Sequence, residues 1–154
     1  MKVFRILLIS YFFVQFLTGY SQEKAIKNFR KLSCPEKWWV IGHPFVAKKA
    51  LKISKEARLK TDWVKQNKLL KGEGNGDQVD AFRHTYWMAL LTQNIGARKA
   101  KRLGVVHEKG NKKQFKKGKK EDGELPDKIG SDMDLFNNQV GIEIGSSDCR
   151  TRQR

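Results

Sequence analysis

Residue types able to bind metals or move protons cluster in three short blocks of this chain. These are Asp80-Ala81-Phe82-Arg83-His84-Thr85-Tyr86-Trp87, then His107-Glu108, then Met133-Asp134-Leu135-Phe136-Asn137-Asn138-Gln139-Val140-Gly141. Three chemistries are open to them. As a metal centre, His84, His107 and Asp134 would hold one divalent ion, because imidazole nitrogen and carboxylate oxygen suit zinc and similar cations. As a metal-free acid–base site, a carboxylate from Asp80 or Asp134 would orient an imidazole to activate water. As structure alone, the same groups would form a satisfied buried network that fixes helix packing. In either catalytic case His84, His107, Glu108 and Asp134 are the expected catalytic groups. Arg83 would clamp an anion, while Trp87 and Asn138 would wall the pocket. Asp80, Asn137 and Gly141 would support the site structurally.

Elements must position these blocks. At 100° per residue, Val79–Gln93 puts Val79, Phe82, Tyr86, Ala89 and Leu90 on one side of a helix. Asp80, Arg83, His84, Trp87 and Leu91 fall on the other. A helix apolar nearly all round is a central one, and its Asp–Arg–His stripe needs partners, since buried charges persist only when paired or coordinated. The segment Gly96–His107 reads as a second helix that delivers His107 at its end. A last helix beginning at Ser131 aligns Asp134, Asn137, Asn138, Gly141 and Gly145 between two apolar margins. Three polar stripes on three helices are expected to meet.

The rest of the chain is expected to be helical too: Gln22–Leu32 and Pro44–Lys60 carry apolar residues at helical intervals, and no stretch sustains strand alternation. Lys71–Asp77 is a glycine-rich loop. Asn111–Gly130, polar and Lys-rich, reads as a long mobile loop. The predicted fold is therefore all-α, a single domain of about five helices over residues 22–154. His43, beside Pro44, is expected to cap or pack, and Trp38, Trp39 and Trp63 to serve as core or lid.

The three blocks, in this order, resemble a bacterial domain of unknown function found in small secreted proteins and at the ends of larger surface or toxin-like proteins. Its pattern is D-A-x-R-H-x-x-W, then H-E, then M/S-D-L-x-N-N-x-x-G, and the likeness spans a core of about residues 75–145. It implies a helical fold and a site at Asp80, Arg83, His84, Trp87, His107, Glu108, Asp134, Asn137 and Asn138. It implies no activity. The order His…His-Glu…Asp is also loosely similar to the His…His-Asp…Asp of HD-type phosphohydrolases, with Glu108 in place of an aspartate.

Residues 1–21 have the layout of a secretory signal peptide: a basic start at Lys2 and Arg5, an uncharged run from Ile6 to Leu17, and small residues before an expected cut after Ser21. The apolar run is shorter than the roughly 20 residues that span a bilayer. Export would permit a disulfide between Cys34 and Cys149, and a loop that long could contribute roughly 4 kcal/mol in the chain-entropy model.

The chain carries a formal charge of +16 on 154 residues, with 39% hydrophobic residues. That hydrophobic content argues against wholesale disorder. Eleven of the basic residues lie between Arg98 and Lys120, so Lys112–Lys120 is the expected contact for an anionic polymer or anionic membrane surface. Two functions follow from the sequence. One is a small exported hydrolase of ester or phosphoester bonds using the His/Asp/Glu site. The other is a non-enzymatic exported domain, with a buried polar network, that binds anionic polymer or an envelope partner.

Overall fold

The computed structural model describes residue 23 and residues 25–116 and 128–151. The chain divides into two compact units, residues 1–32 and 33–154. In the first, residues 25–31 are helical, and the expected signal segment lies outside the described residues. Among its described residues the second unit holds five helices: α1 (Cys34–Gly42), α2 (Pro44–Gln66), α3 (Gln78–Ile95), α4 (Ala97–Lys116) and α5 (Lys128–Thr151). No strand occurs among the described residues, and the fold is all-α.

α3 is the hub. It packs most extensively on α5, then on α2 and α4. Its Val79, Met88 and Leu91 are fully buried, consistent with a helix apolar on most sides. Met88 and Leu91 join Trp39 of α1, Ala50 and Ile53 of α2, and Ala100 and Leu103 of α4 in one core. The crossing of α3 and α5 is close enough that backbone meets backbone. A Cβ placed on Gly141 would sit 2.4 Å from the Thr85 carbonyl oxygen, and one on Gly145 would sit 2.6 Å from that of Ala89. Two glycines four residues apart present the same helix face, so α5 lies flat against α3 along a full turn.

The stretch after Pro35 is a helix, α1, because proline is tolerated in the first helical turn, where its missing N–H costs nothing. Three expectations change. The expected loop Asn111–Gly130 is helical at both ends: α4 runs on to Lys116 and α5 begins at Lys128. The extension of α4 is anchored by tertiary contact, with Asn111 buried and Gly110 seated against Ser33. Residues 117–127 lie outside the described residues. Trp39 is core, but Trp38 and Trp63 are 69% and 47% exposed and therefore neither core nor buried lid. Finally, there is no disulfide among the described residues: the Cys34 thiol is free and exposed, and the Cys149 side chain lies outside them.

Candidate metal centre

The start of α3 is built around two aspartates. Asp77 is its N-cap, accepting from the backbone N–H groups of Val79 (2.9 Å) and Asp80 (3.1 Å) through one oxygen. Its other oxygen accepts from Glu73 (2.6 Å), Gly74 (2.9 Å) and Asn75 (3.4 Å). Partial burial would raise its carboxyl, but these backbone donors win and hold it below the usual carboxylate value. Gly72, Gly74 and Gly76 all have positive φ, so the loop can curl round this carboxylate without strain. The curled loop then serves Asp80, whose Oδ2 accepts from Gly76 N–H at 2.8 Å. Arg83 pairs with Asp80 Oδ1 at 2.6 Å and donates to the Gly74 carbonyl at 3.3 Å. Both oxygens of Asp80 are thus held in place before any ligand arrives.

One turn on, His84 is almost fully buried and lies at the crossing with α5. Its Nδ1 is 3.2 Å from Asn138 Oδ1. An amide oxygen can only accept, so this contact fixes the proton on Nδ1 and leaves a lone pair on Nε2. That nitrogen faces Asp80 Oδ1 at 3.5 Å and Asp134 Oδ1 at 3.4 Å. Burial, together with the neighbouring charges of Arg83 and His107, holds the imidazole pKa down to about 3, so it is neutral at pH 7. Glu108 of α4, also fully buried, approaches Nδ1 at 3.9 Å and is linked to Asn111. Crowding shows in Asp134: burial, then Glu108 and Asp80, push its carboxyl up to about 7.

Asp80, His84 and Asp134 therefore form a triad that could hold a metal ion, each offering one ligand atom and all three atoms within 4.8 Å of one another. Asp134 and Arg83 mark its open edge, with side-chain exposures of 15% and 29% against 4% for His84. Residues 37–154 match the family model of DUF6973, a domain of unknown function. The chain belongs to that family. Nothing among curated proteins and nothing among solved structures matches it. All three triad residues, with Glu108 and Asn138, fall inside the DUF6973 match.

Of the residues singled out from sequence, the fold gathers Asp80, Arg83, His84, Glu108, Asp134 and Asn138 around one point. Asp80, expected only to support the site, is one of the triad. His107, expected as a ligand, lies outside it: its Nδ1 pairs with Glu36 Oε1 at 2.9 Å, while its ring stands 6.3 Å from that of His84. Trp87 packs edge-on against both imidazoles, and its indole N–H donates to Ser54 Oγ at 2.9 Å. Asn137 contributes a backbone carbonyl to Thr85 Oγ at 3.3 Å. His43 stacks on Trp39 at the α1–α2 corner, away from the triad.

Two groups were missed from sequence. The glycine loop reads as a plain connection, although its run of glycines ending in Asp77 and Asp80 is the visible signal of a backbone cradle. Glu36, with its Oε2 on the Ser33 N–H at 2.8 Å, was signalled only by the Ser-x-x-Glu spacing of a helix start. It lies one residue outside the DUF6973 match. Of the Lys112–Lys120 segment, Lys112 reaches Asp132 at 3.5 Å, and 117–120 lie outside the described residues.

Proposed function

We propose that the protein is a small exported hydrolase of ester or phosphoester bonds that works with one divalent cation held by Asp80, His84 and Asp134. The observation that carries this reading is the approach of two carboxylate oxygens, at 3.5 and 3.4 Å, to an imidazole nitrogen whose partner nitrogen is committed to Asn138. A charge-assisted N–H···O bond would close to about 2.7–2.9 Å. Two donors bound tetrahedrally to an ion at about 2.0–2.1 Å would instead be roughly 3.3–3.4 Å apart. Once Asp134 is ionised, a neutral imidazole facing two carboxylates sets lone pair against lone pair, and a shared cation turns that repulsion into attraction. Asn138 matches the outer partner that metal-bound histidines use to fix their tautomer.

When bound, such a cation polarises a substrate oxygen and brings the pKa of a coordinated water towards neutrality. The chain's own groups supply the rest. Arg83, oriented by Asp80 and Gly74, presents its guanidinium at the open edge, where it would clamp a phosphate or carboxylate. His107, oriented by Glu36, stands close enough to act as the proton-transfer group. Trp87 packs edge-on against both imidazoles and fixes their spacing. Export is supported by the signal-peptide layout of residues 1–21.

The test begins with metal analysis of protein purified without chelator, followed by turnover of 4-nitrophenyl phosphate and 4-nitrophenyl acetate. About one ion per chain is expected, lost in His84→Ala while helical circular dichroism persists. Turnover should fall with the ion. If the protein binds no zinc, manganese or magnesium at micromolar concentration, and His84→Ala unfolds it, the groups are a structural network and the non-enzymatic reading stands. An ion without turnover of either ester retains the metal centre and removes the hydrolase.

A further inference from the structure

We propose that the outward face of α2 is a membrane-docking surface that seats on anionic lipid headgroups. α2 buries Ala50, Ile53, Ala57, Thr61 and Val64 along one side. On the opposite side three large apolar groups stand in water: Phe45 is 95% exposed, Leu59 71% and Trp63 47%. Phe45 and Trp63 are eighteen residues apart, five whole turns, so they point the same way about 27 Å from each other. Leu59 is one turn before Trp63 on that line.

Monomeric proteins scatter single apolar residues over their surface, and those need no explanation. A line of them on the free face of one helix, interleaved with cations, is different. Lys48, Lys52 and Lys55 lie between Phe45 and Leu59, with Glu56 the one acid among them, and all four are exposed. Over its whole length α2 has seven Lys and Arg against Glu56 and Asp62. Apolar groups on the face away from the core, flanked by lysines, are what a helix lying in a headgroup layer presents. The indole of Trp63, with Lys60 Nζ 3.9 Å above its ring, suits the boundary between headgroup and hydrocarbon.

Charge decides the occupant. A second copy of the chain would set like charges against each other along the helix, whereas an anionic leaflet attracts each lysine near its surface. The mode is lying on, not spanning: no helix among the described residues is long and apolar enough to cross a membrane. The triad is on α3 and α5, so this surface leaves the metal-centre residues untouched.

The experiment is sedimentation of the protein, as recovered from the producing cell, with vesicles of phosphatidylglycerol and phosphatidylcholine mixed one to one, and of phosphatidylcholine alone. Binding is expected to the first and to be at least tenfold weaker to the second. The variant Phe45→Ser/Leu59→Ser/Trp63→Ser should lose about tenfold or more with its circular dichroism unchanged, because these side chains are exposed. Lys48→Glu/Lys52→Glu/Lys55→Glu should lose at least a hundredfold. Three results overturn the proposal. One is equal binding to both vesicles. Another is binding to phosphatidylglycerol and heparin that the serine variant leaves unchanged, which would mean an anionic polymer site. The third is dimerisation that the serine variant abolishes, without vesicle binding.

Discussion

Adding one methyl group at Gly141 should both destabilise the protein and dismantle the proposed metal centre. Two effects compete. In a helix interior, alanine is favoured over glycine by about 1 kcal/mol, so the local preference of α5 predicts stabilisation. Against it stands the Thr85 carbonyl oxygen, 2.4 Å from the new Cβ, with the Thr85 carbonyl carbon at 3.1 Å and Met88 Cβ at 2.8 Å. Ordinary contact begins near 3.4 Å, so the helices must part by about 1 Å. The obstacle is backbone of the central helix, which cannot rotate aside as a side-chain tip would. Overpacking of this kind costs typically 1–3 kcal/mol, and rigid backbone puts it at the upper end. The expected net loss is about 2 kcal/mol, read as a lower urea midpoint at unchanged slope. Moving α5 by about 1 Å also carries Asn138 and Asp134 away from His84, beyond the roughly 0.5 Å that a preorganised site tolerates. Titration calorimetry with zinc or manganese should therefore show at least tenfold weaker binding, even where the variant is fully folded. Gly42→Ala is the control, since a Cβ there would meet nothing within 4 Å, and it should cost neither stability nor metal affinity. A Gly141→Ala protein that is more stable than the parent, or that binds metal equally well, refutes the close crossing as the device that spaces the triad.

Other expected outcomes follow from the same geometry. Asp134, with its carboxyl pushed up to about 7, keeps its proton below neutrality, while His84 at about 3 has none to lose. Cation binding at pH 6 should therefore release close to one proton and at pH 8 far less, with affinity falling about tenfold per unit below 7. Calorimetry in buffers of different ionisation heat measures this, and absence of release at pH 6 would count against Asp134 as a ligand. Asp77→Ala removes an N-cap and the acceptor of three loop N–H groups, and should cost about 2 kcal/mol with faster amide exchange at residues 73–76. A loss under 0.5 kcal/mol would mean that the loop holds its shape without that carboxylate. Glu36 is raised by burial but lowered further by its bond to His107, ending below its ordinary 4.5. A depressed carboxyl stabilises above its unfolded pKa and loses that contribution as pH falls through the depressed value. Glu36→Gln should cost about 1 kcal/mol at pH 7, and its difference from the parent should shrink below pH 4.5. A gap independent of pH would rule out the charged pair.

Helical periodicity made α2, α3 and the start of α5 legible, because one-sided burial writes itself into local spacing. The stripes of α3 and α5 were legible for the same reason, which is why His84, Asp134 and Asn138 could be grouped before their distances were known. What spacing could not reveal is a partner supplied from far along the chain. Glu36 and His107 are 71 residues apart, and nothing near either one signals the other, so His107 looked like a third ligand. Asp80, a carboxylate beside Arg83, reads locally as an ion pair. Only the approach of α5 gives its oxygen a second direction to face. The end of α4 was missed because its lysines are poor evidence of burial, and the contacts that hold it, at Gly110 and Asn111, come from α1 and from within the helix.

Trp87 gives the triad a built-in optical reporter. Its indole is pinned by the bond to Ser54 and cannot swing away, and its ring lies 6.4 Å from His84 and 5.3 Å from His107. Any event that charges either imidazole, or withdraws electron density from it, alters the electric field across a fluorophore held still at the rim. Occupancy and protonation of the site are thus written into the emission of the unlabelled protein, and a Trp87→Phe variant supplies the matching blank.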